Sequence, residues 1–433
     1  MIRIKKAIKK NPRRTIVLGF AAVILTGAVI LSLPVSSLDG KGTAFIDSLF
    51  ISTSAVCVTG LATVDLANTF NVFGDAVIAM LVQIGGLGIT SIGVITILLA
   101  RGKVSMGGRK LAQEAFNLPS GKNIVSILKA IALITFAFEG TGVILSYIAF
   151  SGRFTALKTF GISVFHSVSA FNNAGFDLFG DFKSLADYHD DPMVNIVTAL
   201  LIIFGGLGFF VNMEIISKRS FRKFSLHSKV VISMTVFLIV SGMLLIMFTE
   251  KTTLLGAFFM SVTARTAGFA TENIGNYSNA GLLVLIVLMY IGASPGSTGG
   301  GIKTTTAFVL IRNMRNVTLN KSCAAFKRKI SDDTVRKALV VAGLALLSIM
   351  FSTFIVSVLE SQFSLSQILT EVTSAFATVG LSTGITPQLC SASKLMLIIT
   401  MFIGRLGPLT IVTLWWKQNR PKAEYVSEII NIG

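Results

Sequence analysis

Residues 54–60 read Ser54-Ala-Val-Cys-Val-Thr-Gly60, and segments of the same kind return as Ser169-Ala-Phe-Asn-Asn-Ala-Gly175, Val262-Thr-Ala-Arg-Thr-Ala-Gly268 and Ser374-Ala-Phe-Ala-Thr-Val-Gly380. An apolar residue follows each glycine: Leu61, Phe176, Phe269 and Leu381. Each segment closes a short apolar stretch, at 44–58, 159–172, 254–265 and 364–378. These stretches are shorter than the roughly 20 residues a membrane-crossing helix needs. Long apolar runs flank them, at 16–34, 74–100, 124–150, 193–216, 230–249, 279–311, 338–359 and 392–416. The order long, short, long therefore occurs four times, with the glycines 115, 93 and 112 residues apart. Self-similarity at a near-fixed period marks repeated structural units. The expected fold is an all-α polytopic membrane protein of four tandem helix–pore loop–helix repeats around a central pore, with units at 1–123, 124–229, 230–337 and 338–433.

Composition supports the membrane reading. Of 433 residues, 52% are hydrophobic and 13% charged, and the mean hydropathy is +0.77. A soluble domain carries about 25% charged residues, so a soluble enzyme, a secreted protein and a disordered chain are excluded. The formal net charge of +18 suggests nucleic acid only until the charges are placed. Lys and Arg cluster between apolar runs, in groups of seven (Arg3 to Arg14), six (Arg101 to Lys129), five (Lys218 to Lys229), nine (Lys303 to Lys337) and three (Lys417 to Lys422). Those groups hold 30 of the 38; the opposite side holds seven, and Arg405 stands alone in a span. This is the positive-inside pattern. It expects both termini in the cytoplasm, a cytoplasmic (inner) membrane location, and all four short helices on the outer side. Outer segments carry acids, among them Asp65, Asp75, Asp177, Asp181, Asp187, Asp190, Asp191, Glu250 and Glu272, a vestibule that would concentrate cations. The basic start runs into the first apolar run without a small-residue cleavage site, so that run reads as a retained span. Three scattered Cys (Cys57, Cys323, Cys390) and three His (His166, His189, His227) give no disulfide framework and no metal-ligand spacing.

A short helix that ends inside the membrane leaves its last carbonyls unpaired, and these carry partial negative charge. A glycine just beyond lets the chain turn outward through positive φ. Irregular backbone at that depth survives beside a water-filled path, and rings of carbonyls replace the hydration shell of a monovalent cation. The candidate filter is therefore Val58, Thr59, Gly60; Asn173, Ala174, Gly175; Thr266, Ala267, Gly268; and Thr378, Val379, Gly380. The competing reading is close helix packing through glycine.

A second glycine motif follows each first one, as Ile84-Gly-Gly-Leu-Gly88, Phe204-Gly-Gly-Leu-Gly208, Ile291-Gly-Ala-Ser-Pro-Gly296 and Ile403-Gly-Arg-Leu-Gly407, at offsets of 25, 30, 24 and 24. For Gly85, Gly205 and Gly404 close packing is the better reading. The third motif opens a longer interruption, Gly292, Ala293, Ser294, Pro295, Gly296, Ser297, Thr298, Gly299, Gly300 and Gly301, up to Lys303. Such a run cannot hold a helix ladder. Arg405 is an ionisable residue at mid-span, a costly placement that marks function. It would set an electrostatic barrier or bond the carbonyls freed by the broken span. Trp415, Trp416 and Lys417 mark the inner surface, about ten residues away and so roughly 15 Å along a helix, too far for snorkelling.

Other residues stay open. Glu139 is mid-span. Asn173 either lines the pore or holds its loop. Arg265 either lines the pore or supports it, paired with an outer acid such as Glu371. His166 reads as a structural donor. Lys303 either holds the interrupted segment or faces the cytoplasm.

These motifs together resemble the Trk/Ktr/HKT superfamily of potassium transporters, over nearly the whole chain. Ser169-Ala-Phe-Asn-Asn-Ala-Gly-Phe176 and Phe402-Ile-Gly-Arg-Leu-Gly-Pro408 look most like its bacterial KtrB-type membrane subunits. The resemblance implies K⁺ as the transported ion, since a glycine stands in all four segments. It further implies a gate at 292–303, a homodimer, and Na⁺ as an activator of uptake, for which the sequence shows no site. It also implies a separate cytosolic nucleotide-binding (KtrA-type) regulatory ring, docked on the basic inner loops and the tail. Membrane lipid is the other partner; nucleic acid is not one, and no organic cofactor is expected. The alternative is an alternating-access carrier coupled to Na⁺ or H⁺. Carriers show inverted repeats and paired midplane ionisable groups, whereas these units all share one orientation. No metalloprotease or nucleophile motif is present, so no enzyme activity is expected.

Overall fold

The computed structural model describes residues 12–88 and 124–414. The basic segments before Pro12, between Arg101 and Lys122, and from Lys417 to Lys422 lie outside the described residues, as do Trp415, Trp416 and the second half of the run 74–100.

The helices fall into four successive sets. The first is α1 (Pro12–Ser32), α2 (Phe45–Cys57) and α3 (Val72–Leu87). The second is α4 (Ile124–Phe150), α5 (Ala156–Phe171), α6 (Pro192–Leu207) and α7 (Phe209–Lys218). The third is α8 (Leu226–Thr249), α9 (Leu254–Thr263), α10 (Asn279–Tyr290) and α11 (Thr304–Thr318). The fourth is α12 (Asp332–Leu359), α13 (Leu365–Ala377), α14 (Ser391–Leu406) and α15 (Pro408–Thr413). A two-residue antiparallel ribbon, β1 (Ala324–Ala325) with β2 (Arg328–Lys329), links the third set to the fourth.

Helices α1, α4, α8 and α12 are long and apolar enough to cross a membrane. They turn large apolar side chains outward, such as Leu18, Leu133, Phe248 and Phe354, a surface suited to lipid rather than water. The short helices α2, α5, α9 and α13 are enclosed. Their starts follow local chemistry. Ser364 and Gln367 form a reciprocal capping box at α13, and the Thr253 hydroxyl accepts the Gly256 N–H at α9, each satisfying a donor the first turn leaves free.

One contact recurs in three sets and was not visible as a motif. Gly27, Gly142 and Gly242 each face a serine of the short helix and a leucine of the third: Ser52 and Leu81, Ser167 and Leu201, Ser261 and Leu288. The serine hydroxyls donate to carbonyls three residues before those glycines: Ile24, Glu139 and Ile239, at 2.7, 2.7 and 2.8 Å. In the fourth set a Ser352–Thr400 hydroxyl pair at 2.9 Å ties first helix to third instead. Each bond is worth about 1 kcal/mol, and together they fix the depth of the short helices.

The third helices differ from the expected single spans. The run 193–216 bends by 101° between α6 and α7, and 392–416 breaks between α14 and α15. The cause is the last glycine of the second motif. Gly88, Gly208 and Gly407 share one conformation, with φ of 79°, 91° and 84° and ψ of 135°, 147° and 133°, which ends a helix and which glycine adopts without a Cβ penalty.

Candidate functional site: a ring of four strained segments

The short helices end at Cys57, Phe171, Thr263 and Ala377. Beyond each, the backbone crosses into the left-handed region twice. Val58, Asn173, Thr266 and Thr378 have φ of 59°, 58°, 97° and 51°; Gly60, Gly175, Gly268 and Gly380 have 93°, 69°, 79° and 100°. For β-branched Val58, Thr266 and Thr378 this is a real outlier, costing about 1–3 kcal/mol each. Such strain persists only where surrounding bonds over-determine it. Here Thr59, Ala174 and Val379 donate their N–H groups to Ser54, Ser169 and Ser374 carbonyls at 2.7, 2.8 and 2.9 Å, and Ala267 donates to Thr263 at 2.9 Å. The Ser54 and Ser374 hydroxyls also accept the N–H of Gly60 and Gly380 at 3.0 Å. The third set has Val262 in place of that serine; the Thr263 hydroxyl bonds Phe269 O at 2.7 Å instead.

The four segments close on one another. A Cβ at Gly60 would strike Ala174 O; at Gly175, Ala267 O; at Gly268, Val379 O; and at Gly380, Thr59 O. In each case it would also lie 2.9–3.1 Å from the next glycine's Cα. The near-identical spacing makes a ring of four, with four helix C-termini aimed at it. The flanking Leu61, Phe176, Phe269 and Leu381 are buried. The second-motif glycines do what close packing requires. A Cβ at Gly85, Gly205 or Gly404 would run into the carbonyl of Val56, Phe171 or Phe376, each four residues before its ring glycine.

The interrupted segment 292–303 lies against the deep side of this ring. A Cβ at Gly299 would strike the Thr266 hydroxyl, and one at Gly300 the Thr378 hydroxyl. The second, third and fourth sets hold the segment, and the first set anchors Arg405. From the second, Gly206 O accepts Ser294 N–H at 3.1 Å and Phe209 N–H reaches Gly296 O at 3.0 Å. From the fourth, Arg405 donates to Thr298 O and, with its other amino group, to Gly85 O of the first. Within the third, the Lys303 ammonium bonds Gly299 O at 2.6 Å, and the Ser294 and Thr304 hydroxyls pair at 3.1 Å. Lys303 thus holds the segment rather than facing the cytoplasm, and Arg405 bonds the freed carbonyls.

The side chain of Asn173 meets the Thr266 hydroxyl at 3.0 Å. With the amide turned so that its oxygen accepts there, its nitrogen reaches Phe171 O and Ile202 O, each at 3.3 Å. It ties two neighbouring segments together. His166 bonds the Thr198 hydroxyl at 2.9 Å. The expected Arg265–Glu371 pair does not form. Glu371 is saturated by the loop that follows its helix, accepting from the Ser382 hydroxyl (2.6 Å), the Thr383 N–H (2.8 Å) and the Thr386 hydroxyl (2.7 Å). Arg265 is buried and makes no ion pair among the described residues.

Several of the acids expected on the outer side have structural duties. Asp191 caps α6, Glu250 accepts from Ser278, Glu272 from Tyr277 at 2.5 Å, and Asp65 from Asp181 N–H at 2.6 Å. Asp177, two residues beyond Gly175, is nearest the ring in sequence. Burial pushes its carboxyl up to about 6, opposed by the Phe179 N–H bond and reinforced by the charge of Asp65.

A family model described as a cation transport protein, TrkH, matches residues 11–426. The chain belongs to this family. It is 39% identical to the potassium/sodium uptake protein NtpJ of Enterococcus hirae, with 98% of each chain covered. It is 36% identical to the Ktr system potassium uptake protein B of Bacillus subtilis, covering 98% of this chain and 97% of that one. The crystal structure of the potassium transporter TrkH from Vibrio parahaemolyticus superposes with a TM-score of 0.74 at 18% identity, covering 94% of this chain and 85% of that one, a likeness of fold. The protein is a multi-pass membrane protein of a cation-transporter family.

Proposed function

We propose that this chain is the membrane subunit of a potassium uptake system, conducting K⁺ through the ring of Gly60, Gly175, Gly268 and Gly380. The observation that carries the reading is the ring itself: four strained segments held by backbone bonds. Backbone carbonyls arranged around an axis replace the hydration of a monovalent cation. Four helix C-termini add partial negative charge where that ion would rest. Relatives named for potassium or potassium/sodium uptake supply the ion.

The segment 292–303 is the gate in this reading, with Arg405 and Lys303 holding it closed under the ring. Two positive groups there also oppose a cation's exit. The four sets are the repeats at 1–123, 124–229, 230–337 and 338–433. Two relatives named as parts of a Ktr system support a separate cytosolic nucleotide-binding ring that moves the gate. Exposed Arg219, Arg222, Lys223, Lys327, Arg328 and Lys329 offer that ring a basic surface. A homodimer in the cytoplasmic membrane, both termini inside and Na⁺ stimulating uptake, completes the assignment.

The test is cation flux into proteoliposomes holding the purified chain and its Gly60→Ser variant. The reading expects K⁺-selective flux whose selectivity collapses in the variant, because a side chain at Gly60 meets Ala174 O. An unchanged K⁺/Na⁺ ratio would refute the ring as the filter.

A further inference from the structure

A buried polar cluster behind the second ring segment is unused in the account above. Asn172 caps α5 immediately before left-handed Asn173. Its side-chain nitrogen donates to Gln83 Oε1 at 2.8 Å, Glu139 Oε1 at 3.0 Å and Val168 O at 2.9 Å. Gln83 in turn donates to Glu139 Oε2 at 3.3 Å. Three side chains from α3, α4 and α5 thereby close one loop of hydrogen bonds. Glu139 is 6% exposed and Asn172 fully enclosed. A Cβ at Gly86 would overlap the Asn172 oxygen, so glycine there is what lets Asn172 stand against α3.

The corresponding positions in the other sets, three residues before each ring glycine, are Cys57, Arg265 and Ala377. Among the described residues none of them joins a side-chain network of this kind. The second segment is therefore the one anchored from behind by a carboxyl group. A carboxyl group offers the cluster two acceptor oxygens, and a left-handed non-glycine residue persists only where surrounding bonds over-determine it.

We infer that Glu139, acting through Asn172, is a positioning residue that sets the geometry of Asn173-Ala174-Gly175 and hence the ring's preference among monovalent cations. This rests on the ring being the filter. Selectivity depends on small differences in carbonyl placement and stiffness, and the Asn172–Asn173 peptide joins anchor and ring directly.

The K⁺/Na⁺ flux ratio of the full chain in proteoliposomes tests it, with Gly60→Ser as the control on the filter. Glu139→Leu should lower the ratio about fivefold, the worth of one ordinary hydrogen bond. Asn172→Ala should do the same, and the double variant should lose no more than either, as one unit does. Glu139→Gln keeps an acceptor for Asn172 and should stay close to the parent ratio. A Glu139→Leu ratio equal to the parent's, with Gly60→Ser impaired, overturns the inference and leaves the filter standing. Parent ratios in both overturn the filter as well. A Glu139→Gln ratio as low as that of Glu139→Leu would make charge, not position, the cause and also overturn it. Should Glu139→Leu not fold, Asn172→Ala against Glu139→Gln decides by the same ratio.

Discussion

Arg405→Ala should raise K⁺ flux steeply. The guanidinium makes two bonds, to Thr298 O in the segment proposed as the gate and to Gly85 O at the end of α3; only the first ties down that segment. A hydrogen bond involving a charged group is worth about 1.5–3 kcal/mol. Arg405 is only half-buried, so the lower figure applies, and the one bond to the segment gives about 1.5 kcal/mol. At about 1.4 kcal/mol per factor of ten, the closed-to-open ratio shifts about tenfold. Removing a positive charge beneath the ring lowers the barrier to a cation in the same direction. Arg405→Lys keeps the charge but loses the two-pronged donor, and should fall between the two. The assay is Rb⁺ uptake into proteoliposomes at matched protein density, with thermal melting in detergent as a check on folding. Flux equal to the parent in both folded variants would refute Arg405 as a latch on the segment.

Further outcomes follow from single contacts. Gly404→Ala places a Cβ on Phe376 O; overpacking of this kind costs about 1–3 kcal/mol and should lower the melting temperature. Glu371→Ala strands the Ser382, Thr383 and Thr386 donors; leaving a buried donor unsatisfied costs about 1–3 kcal/mol, read as a lower melting temperature and faster proteolysis of the 382–388 loop. The Asp177 carboxyl is raised from 3.8 to about 6, so acidifying the outside through pH 6 should neutralise it and reduce uptake. Asp177→Asn should flatten that dependence. A raised carboxyl costs stability increasingly as pH climbs from 3.8 to about 6, so this variant should gain stability over the parent at pH 7 and not at pH 3.

The sequence made the helical class legible because membrane spans leave a strong signal: long apolar runs with charges between them. The four ring segments stood out through repeated glycines. What stayed hidden depended on contacts across units. The serines that seat the short helices, Ser52, Ser167 and Ser261, match glycines 25, 25 and 19 residues earlier, an offset that drifts and so escapes a periodic search. The helix ends at Gly88, Gly208 and Gly407 sit in motifs whose first glycine serves close packing and whose last sets the backbone. Asn172 carries no signal in sequence because its partners Gln83 and Glu139 lie 89 and 33 residues away. The Arg265–Glu371 pairing failed because opposite charges in sequence reveal nothing of competing donors, and Glu371 finds its partners within 15 residues along its own chain.

The most direct measurement is the anomalous scattering of Rb⁺ from crystals of the protein. Density is expected on the axis of the ring, enclosed by the carbonyls of the segments ending at Gly60, Gly175, Gly268 and Gly380, and lost when Na⁺ replaces Rb⁺. Rb⁺ density seated elsewhere in the membrane region, with none in the ring, would contradict it.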